Sequence, residues 1–167
     1  MGNQIAWAEA TCYHQEAGWF PERADEYGED VRTRLEMGRK VSAVDYLRAC
    51  RLAAKFAGSF ASVIEGNQLG ALLVPTTPIV APRLGEDSVT IKGTKHLMRA
   101  LLLRLNRPAN LAGIPAISIP CGLGRGGLPV GIQFIGGFGE EHKLLGLASR
   151  FERASPLNRQ PTLDFSY

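Results

Sequence analysis

Two adjacent threonines held between two prolines, Pro75-Thr76-Thr77-Pro78, are the residues of this sequence best placed to meet a ligand. Neither proline can continue a helix or a central strand, so the four residues read as a turn. The turn follows the apolar run Ala71-Leu72-Leu73-Val74, which suits a strand buried on both faces of a parallel or mixed sheet. Ligands of open α/β sheets bind beyond the carboxyl ends of the strands. The hydroxyls of Thr76 and Thr77 are therefore the first substrate-binding candidates, beside the alternative that they only tie the turn to its own backbone. Arg34 is the third candidate, because a guanidinium can grip a carboxylate through two parallel hydrogen bonds. The alternative for Arg34 is a solvated, structural arginine.

Other reactive side chains point away from catalysis within the chain. Cys121 follows Pro120 with no histidine near it in sequence, so it is not expected to act as a thiol nucleophile. Ser118 lies within a predicted buried strand and reads as a small packing residue, and Asn110 reads as a tie for the turn after Pro108. His14, His96 and His142 are scattered, with no pair four residues apart, so no metal site is expected. No cofactor is implied either. Cys12, Cys50 and Cys121 are odd in number and far apart, which argues against a disulfide framework and fits a reducing, cytoplasmic compartment.

These residues need elements to position them. The spacing predicts helices over 4–18, 29–38, 43–65, 94–106 and 140–153, and strands over 71–74, 116–119 and 130–135, with a minor one at 88–91. The helix over 43–65 has the clearest start, with Ser42 as N-cap, Asp45 three residues on, and Val41 and Tyr46 at the staple positions. Leu47, Cys50, Ala54, Ala57, Ala61 and Ile64 form its predicted inner face. Thr94 is the expected cap of the helix ending near Asn106, and Pro108 its stop. The ten residues at 120–129 hold four glycines, a loop that needs unusual backbone angles. The expected class is α/β, a partial mixed sheet flanked by helices. The three main strands are expected in one sheet, with 43–65, 95–106 and 140–153 packed on it. Three short buried strands belong to a larger sheet, so the chain reads as part of a bigger α/β body. Residues 1–155 form the domain and 156–167 an irregular tail.

Composition fits this picture. The 167 residues are 45% apolar and 21% charged, ordinary for a globular protein. No apolar run approaches the roughly 20 residues of a membrane span, and the first residues lack a signal-peptide pattern. The net charge of +3 comes from dispersed arginines rather than a basic run, so neither nucleic acid nor membrane is an expected partner.

The segment Asn110 to Gly122, Asn-Leu-Ala-Gly-Ile-Pro-Ala-Ile-Ser-Ile-Pro-Cys-Gly, resembles the carboxy-terminal signature of the amidase-signature family. So does Gly127 to Gly136, Gly-Leu-Pro-Val-Gly-Ile-Gln-Phe-Ile-Gly. Upstream pieces follow the family's order: Ala8-Glu9-Ala10 with His14, Tyr27-Gly28 leading to Val31-Arg32-Thr33-Arg34-Leu35 and Gly38, then Leu72 to Pro82 with Gly85-Glu86 beyond. The resemblance covers essentially residues 1–153 and is also to the amidase subunit of tRNA-dependent amidotransferases.

The resemblance implies an enzyme that hydrolyses or transfers amides through a serine nucleophile, a bridging serine in a cis peptide, and a lysine, with backbone donors for the oxyanion. None of that Gly- and Ser-rich loop is in this sequence. Its eight serines, Ser42, Ser59, Ser62, Ser88, Ser118, Ser149, Ser155 and Ser166, include no adjacent pair. The chain is thus expected to correspond to the later part of such an enzyme, to contain no catalytic residue, and to be inactive alone. Its expected partners are a small-molecule amide in the full enzyme, and a complementary amino-terminal half or a second copy of itself. The alternatives are an inert remnant or split-gene product acting as an interaction module, or part of a protein like the amidase subunit of glutamyl-tRNA amidotransferase. In that subunit the resemblance implies an arginine near Arg34 holding a substrate carboxylate, and an acidic residue before the proline of Pro-x-Asn-Leu meeting an ammonium. Here Leu102 to Arg107 contain no carboxylate, so a neutral or acidic amide fits better than glutamine.

Overall fold

The computed structural model describes residues 2–155. The expected tail at 156–167 lies outside them. The chain divides into two compact units, Met1–Phe60 and Ala61–Tyr167, each described on its own. No described helix is long and apolar enough to cross a membrane.

In the first unit, helix α1 (Gly2–Glu16) packs against α2 (Glu29–Arg39), and α3 (Ala43–Gly66) begins. The α1–α2 contact is built around a glycine. A Cβ on Gly38 would overlap the Thr11 hydroxyl and the Trp7 carbonyl, so only glycine allows this approach. The Thr11 hydroxyl is buried and donates to the Leu35 carbonyl at 2.9 Å, meeting the rule that buried polar groups are bonded. Between the helices the chain buries Phe20 completely and stacks it edge-on against Tyr27.

The start of α3 follows its local chemistry. The Asp45 N–H donates to Ser42 Oγ at 3.0 Å, and the Ser42 hydroxyl donates to the Asp45 carboxylate at 2.7 Å. The predicted inner face does not hold. Leu47 is 54% exposed, Ala54 and Ala61 are exposed, Cys50 and Ala57 are half-buried, and of the six only Ile64 is buried. Ala49 and Ala53 are buried instead. The helix is apolar around most of its circumference, with Leu52 and Phe56 also exposed on the far side. Periodicity in such a helix cannot choose the sector that packs.

In the second unit, β1 (Leu72–Pro75), β4 (Ala116–Leu123) and β5 (Pro129–Ile135) form one sheet in the order β1-β5-β4. The α/β class and the single sheet are as expected. Both described pairings are antiparallel, whereas the apolar runs suggest a parallel or mixed sheet. Nor is β1 buried on both faces, since Leu73 is 52% exposed. Strand β4 continues through Pro120, with a bulge between Pro120 and Gly122. Helix α6 (Glu141–Ala154) covers one face of the sheet, where Ile119, Phe134, Leu144 and Ala148 make the core and Phe134 meets Phe151 edge-on.

The predicted helix over 94–106 is overturned. Residues Ser88–Ile91 (β2) and Thr94–Leu97 (β3) form a hairpin, and only Met98–Leu102 (α4) is helical before a turn. Lys92 and Gly93 both have positive φ, the tight turn that matches strand twist. Thr94 therefore opens a strand rather than capping a helix. Pro108 likewise starts α5 (Arg107–Ala112) instead of ending a helix, since a first-turn proline loses no helical bond. Gly113, left-handed at φ 65°, closes α5. Asn110 is an exposed residue within α5, not a tie for the turn.

Gly38→Ala is expected to destabilise the first unit by about 1–3 kcal/mol, the usual penalty of overpacking. Urea unfolding followed by Trp fluorescence measures it, and an unchanged midpoint would show that α1 and α2 can separate without loss of stability.

Candidate functional site

The second unit brings two hydroxyls together at the carboxyl end of β1. The Thr76 N–H donates to the Gly131 carbonyl at 2.9 Å, extending the β1–β5 ladder one residue past Pro75. Pro75 then stands at the position that exchanges no ladder bond with β5, where its missing N–H is harmless. On the same face, across β5, Ser118 projects from β4. Thr76 Oγ1 and Ser118 Oγ lie 2.5 Å apart.

Gly131 makes this meeting possible. A Cβ there would sit 2.7 Å from Thr76 Oγ1 and 3.1 Å from Ser118 Oγ, so any side chain would part the pair. Beneath lies Gln133, cross-strand from Ser118 and 3% exposed. Its Nε2 donates to the Pro75 carbonyl at 3.4 Å and to the Leu105 carbonyl at 3.0 Å. One buried amide thus ties the turn that carries Thr76 to the turn between α4 and α5.

The chemistry of the pair follows from its hydrogens. Each hydroxyl has one donor hydrogen and two acceptor lone pairs. One hydrogen lies between the two oxygens, leaving one O–H to donate and lone pairs to accept. A primary amide offers the complement, a carbonyl acceptor next to N–H donors. Ser118 is exposed and Thr76 half-buried, so the pair is reachable. Among the described residues no histidine, lysine or carboxylate is hydrogen-bonded to either hydroxyl. A hydroxyl without an adjacent base is a weak nucleophile, so this is binding chemistry rather than attack.

The sequence candidates fare differently. Thr76 occupies the hydroxyl pair. The Thr77 hydroxyl donates to the Ile79 carbonyl at 2.7 Å, a local bond that leaves only its lone pairs for a ligand. Arg34 belongs to the other unit, where it donates to Asp30 one turn earlier on α2 at 2.6 Å. Asp30 is 73% exposed while the Arg34 side chain is only 25% exposed, so the guanidinium is held by its packing as well as by the pair. Ser118 is exposed at the site, not the buried packing residue that its strand suggests. Gln133 and Gly131 are absent from the sequence candidates. A lone amide inside the apolar run Val130 to Ile135 is the signal that could have found Gln133, since a buried polar group must find partners.

The first unit carries a separate cleft of about 530 Å³, lined by Glu9, Cys12, Tyr13 and Glu16 of α1 and by Val41, Ser42, Ala43 and Tyr46. Its polar groups are occupied with one another. The Tyr46 hydroxyl donates to Glu9 at 2.9 Å, and that bond, with a lesser part from Cys50, pushes the phenol up to about 12. Cys12 donates to Glu16, which raises its thiol above the ordinary value and keeps it protonated. The cleft therefore presents no activated thiol. Among the described residues no three His, Cys, Asp or Glu side chains gather as metal ligands.

Comparison with known proteins agrees with this architecture. Residues 4–145 match the family described as Amidase. The chain is 36% identical over 148 residues to a glutamyl-tRNA(Gln) amidotransferase subunit of Prochlorococcus marinus subsp. pastoris, covering 85% of this chain and 29% of that protein. It is 32% identical over 134 residues to a fatty acid amide hydrolase of Arabidopsis thaliana, covering 80% of this chain and 22% of that one. A crystal structure of an amidase superposes with a TM-score of 0.83 at 27% identity, over 92% of this chain and 34% of its own. The chain thus spans under a third of the length of the curated relatives it matches. It belongs to the amidase family, the amidase-signature enzymes.

Proposed function

We propose that the chain forms the amide-binding wall of a cytoplasmic amide hydrolase. The observation that carries this reading is the Thr76–Ser118 hydroxyl pair, whose one free O–H and free lone pairs match the acceptor and donor of a primary amide. Family membership supports it, since similar proteins are named as amidases and as an amidotransferase subunit. Residues 1–155 act as one such domain in this reading. Thr77 adds acceptor lone pairs at the same turn, and Arg34, in the first unit, is kept as a candidate for a substrate carboxylate. Residues Leu102 to Arg107 hold no carboxylate to receive an ammonium, which favours a neutral or acidic amide over glutamine.

The nucleophile comes from elsewhere in this reading. No two of the eight serines are adjacent, and neither hydroxyl of the pair has a base beside it. A complementary portion of the amidase fold, in this polypeptide or another, supplies the catalytic serines and lysine. The bare apolar surface of α3 supports such a partner: Leu47, Leu52, Phe56 and Val63 are each between 36% and 54% exposed, on opposite flanks of one helix. Bare apolar side chains on both flanks of a helix are surface that a larger body would cover. The second reading, an inert remnant that only binds other chains, rests on the same surface.

Titration of the chain with propionamide, followed by NMR, tests the binding site. Thr76, Ser118 and Gly131 resonances should move together. Ser118→Ala and Gly131→Ala should each weaken binding about tenfold, the order expected when a hydrogen bond or two are lost. Shifts confined to other residues would remove the site. No ammonia should be released by the chain alone, and turnover abolished by Ser118→Ala would instead reveal a nucleophile.

A separate expectation concerns association. Each leucine-sized side chain left bare forfeits about 1.5–3 kcal/mol, against a net domain stability of about 5–15 kcal/mol. The chain should therefore self-associate, or require its complement, in analytical ultracentrifugation at roughly tens of micromolar, where exposed apolar surface drives association. A monodisperse monomer with one cooperative melt would show that these faces need no cover.

A further inference from the structure

We infer that Gln133 is a positioning residue for the amide site, setting the Thr76 hydroxyl against Ser118 through the Pro75 and Leu105 carbonyls; this rests on reading the Thr76–Ser118 pair as the amide contact. Gln133 sits on the central strand of the described sheet and is the one buried side-chain amide described on it. It pairs across strands with Ser118 on one side and Val74 on the other, so its side chain shares their face. Because Thr76 donates to Gly131, the Gln133–Ser118 pair falls at the position without ladder bonds between β4 and β5, where facing side chains come closest.

Both donors of the carboxamide converge on backbone. One reaches the carbonyl of Pro75, the residue before Thr76, and the other reaches the carbonyl of Leu105. Proline restricts the turn but gives no N–H to anchor it, so Pro75 depends on its carbonyl for a bond outside the ladder. The far anchor lies in the connection between α4 and α5, 30 residues downstream of Pro75 by numbering, which carries Arg104. No other described side chain joins these two segments by hydrogen bonds. A leucine of similar size would fill the space but hold neither carbonyl. Thr76 would then lose its fixed spacing from Ser118, although the core on the opposite face, built on Phe134 and Leu144, would remain.

The test uses the full chain, isotopically labelled, in whatever assembly it forms. In Gln133→Leu, resonances of the Phe134, Leu144 and Ala148 core should stay in place. Those of Thr76 and Ser118 should shift, and affinity for propionamide should fall about tenfold, the order expected from two neutral hydrogen bonds that hold a geometry. Unmoved Thr76 and Ser118 with unchanged affinity would overturn the inference while leaving the amide site standing. Should the wild-type chain not bind propionamide, a Thr76 shift in Gln133→Leu would still support positioning, and the amide reading alone would fall. If Gln133→Leu does not fold, Gln133→Met replaces it. Through-hydrogen-bond scalar coupling from Gln133 Nε2 to the Pro75 and Leu105 carbonyl carbons in the wild type then decides. Observed coupling supports the tie, and freely exchanging carboxamide protons without coupling would refute it.

Discussion

The absence of a side chain at Gly131 governs the second unit's chemistry. Three strands approach there from separate parts of the sequence, and the middle one contributes only backbone to the face above it. Thr76 and Ser118, 42 residues apart, can close to 2.5 Å because nothing rises between them. The ladder bond from Thr76 to Gly131 fixes the height of the turn, and the Gln133 amide fixes its lateral position. The opposite face is dry and aromatic, so the same strand carries a packed core on one side and a polar floor on the other. Strand alternation makes that division possible within seven residues.

The first unit rests on a comparable constraint with a different outcome. Gly38 brings the α2 backbone down onto α1, and Thr11 fills the contact by bonding to Leu35. There the close approach serves packing, and the polar groups around it are satisfied internally. The neighbouring cleft follows the same pattern, with Tyr46 on Glu9 and Cys12 on Glu16. In the second unit, by contrast, the close approach at Gly131 brings two hydroxyls together with hydrogen-bonding capacity to spare.

Features set by local chemistry are legible in the sequence. The Ser42–Asp45 cap, the α6 limits, the three sheet strands and the Pro-Thr-Thr-Pro turn each depend on neighbouring residues, and each can be read from them. The hairpin escapes such a reading because its turn needs a positive φ at Lys92, which composition does not announce, while the following leucines mimic a helix. The buried sector of α3 escapes it because the apolar arc of the helix is wide, and periodicity alone does not say which part of it packs. Ser118 reads as a core residue because Ile-Ser-Ile suggests burial on both sides, yet alternation turns only the isoleucines inward. Its partner lies on another strand, and no local pattern in a single sequence joins positions 76 and 118.

Pro120 has a consequence for the rim of the sheet. Among the described residues strand β4 has one neighbour, β5, and its other flank turns a row of backbone groups outward. The register places the amide nitrogens of Ala116, Ser118 and Pro120 on that flank, and proline has no hydrogen to offer. The row is therefore interrupted at its middle, and the bulge that follows bends the remainder away from a straight template. A strand from any source could zip along only the first few residues before meeting a missing rung. Pro120 thus limits how much of this flank any further strand can pair with.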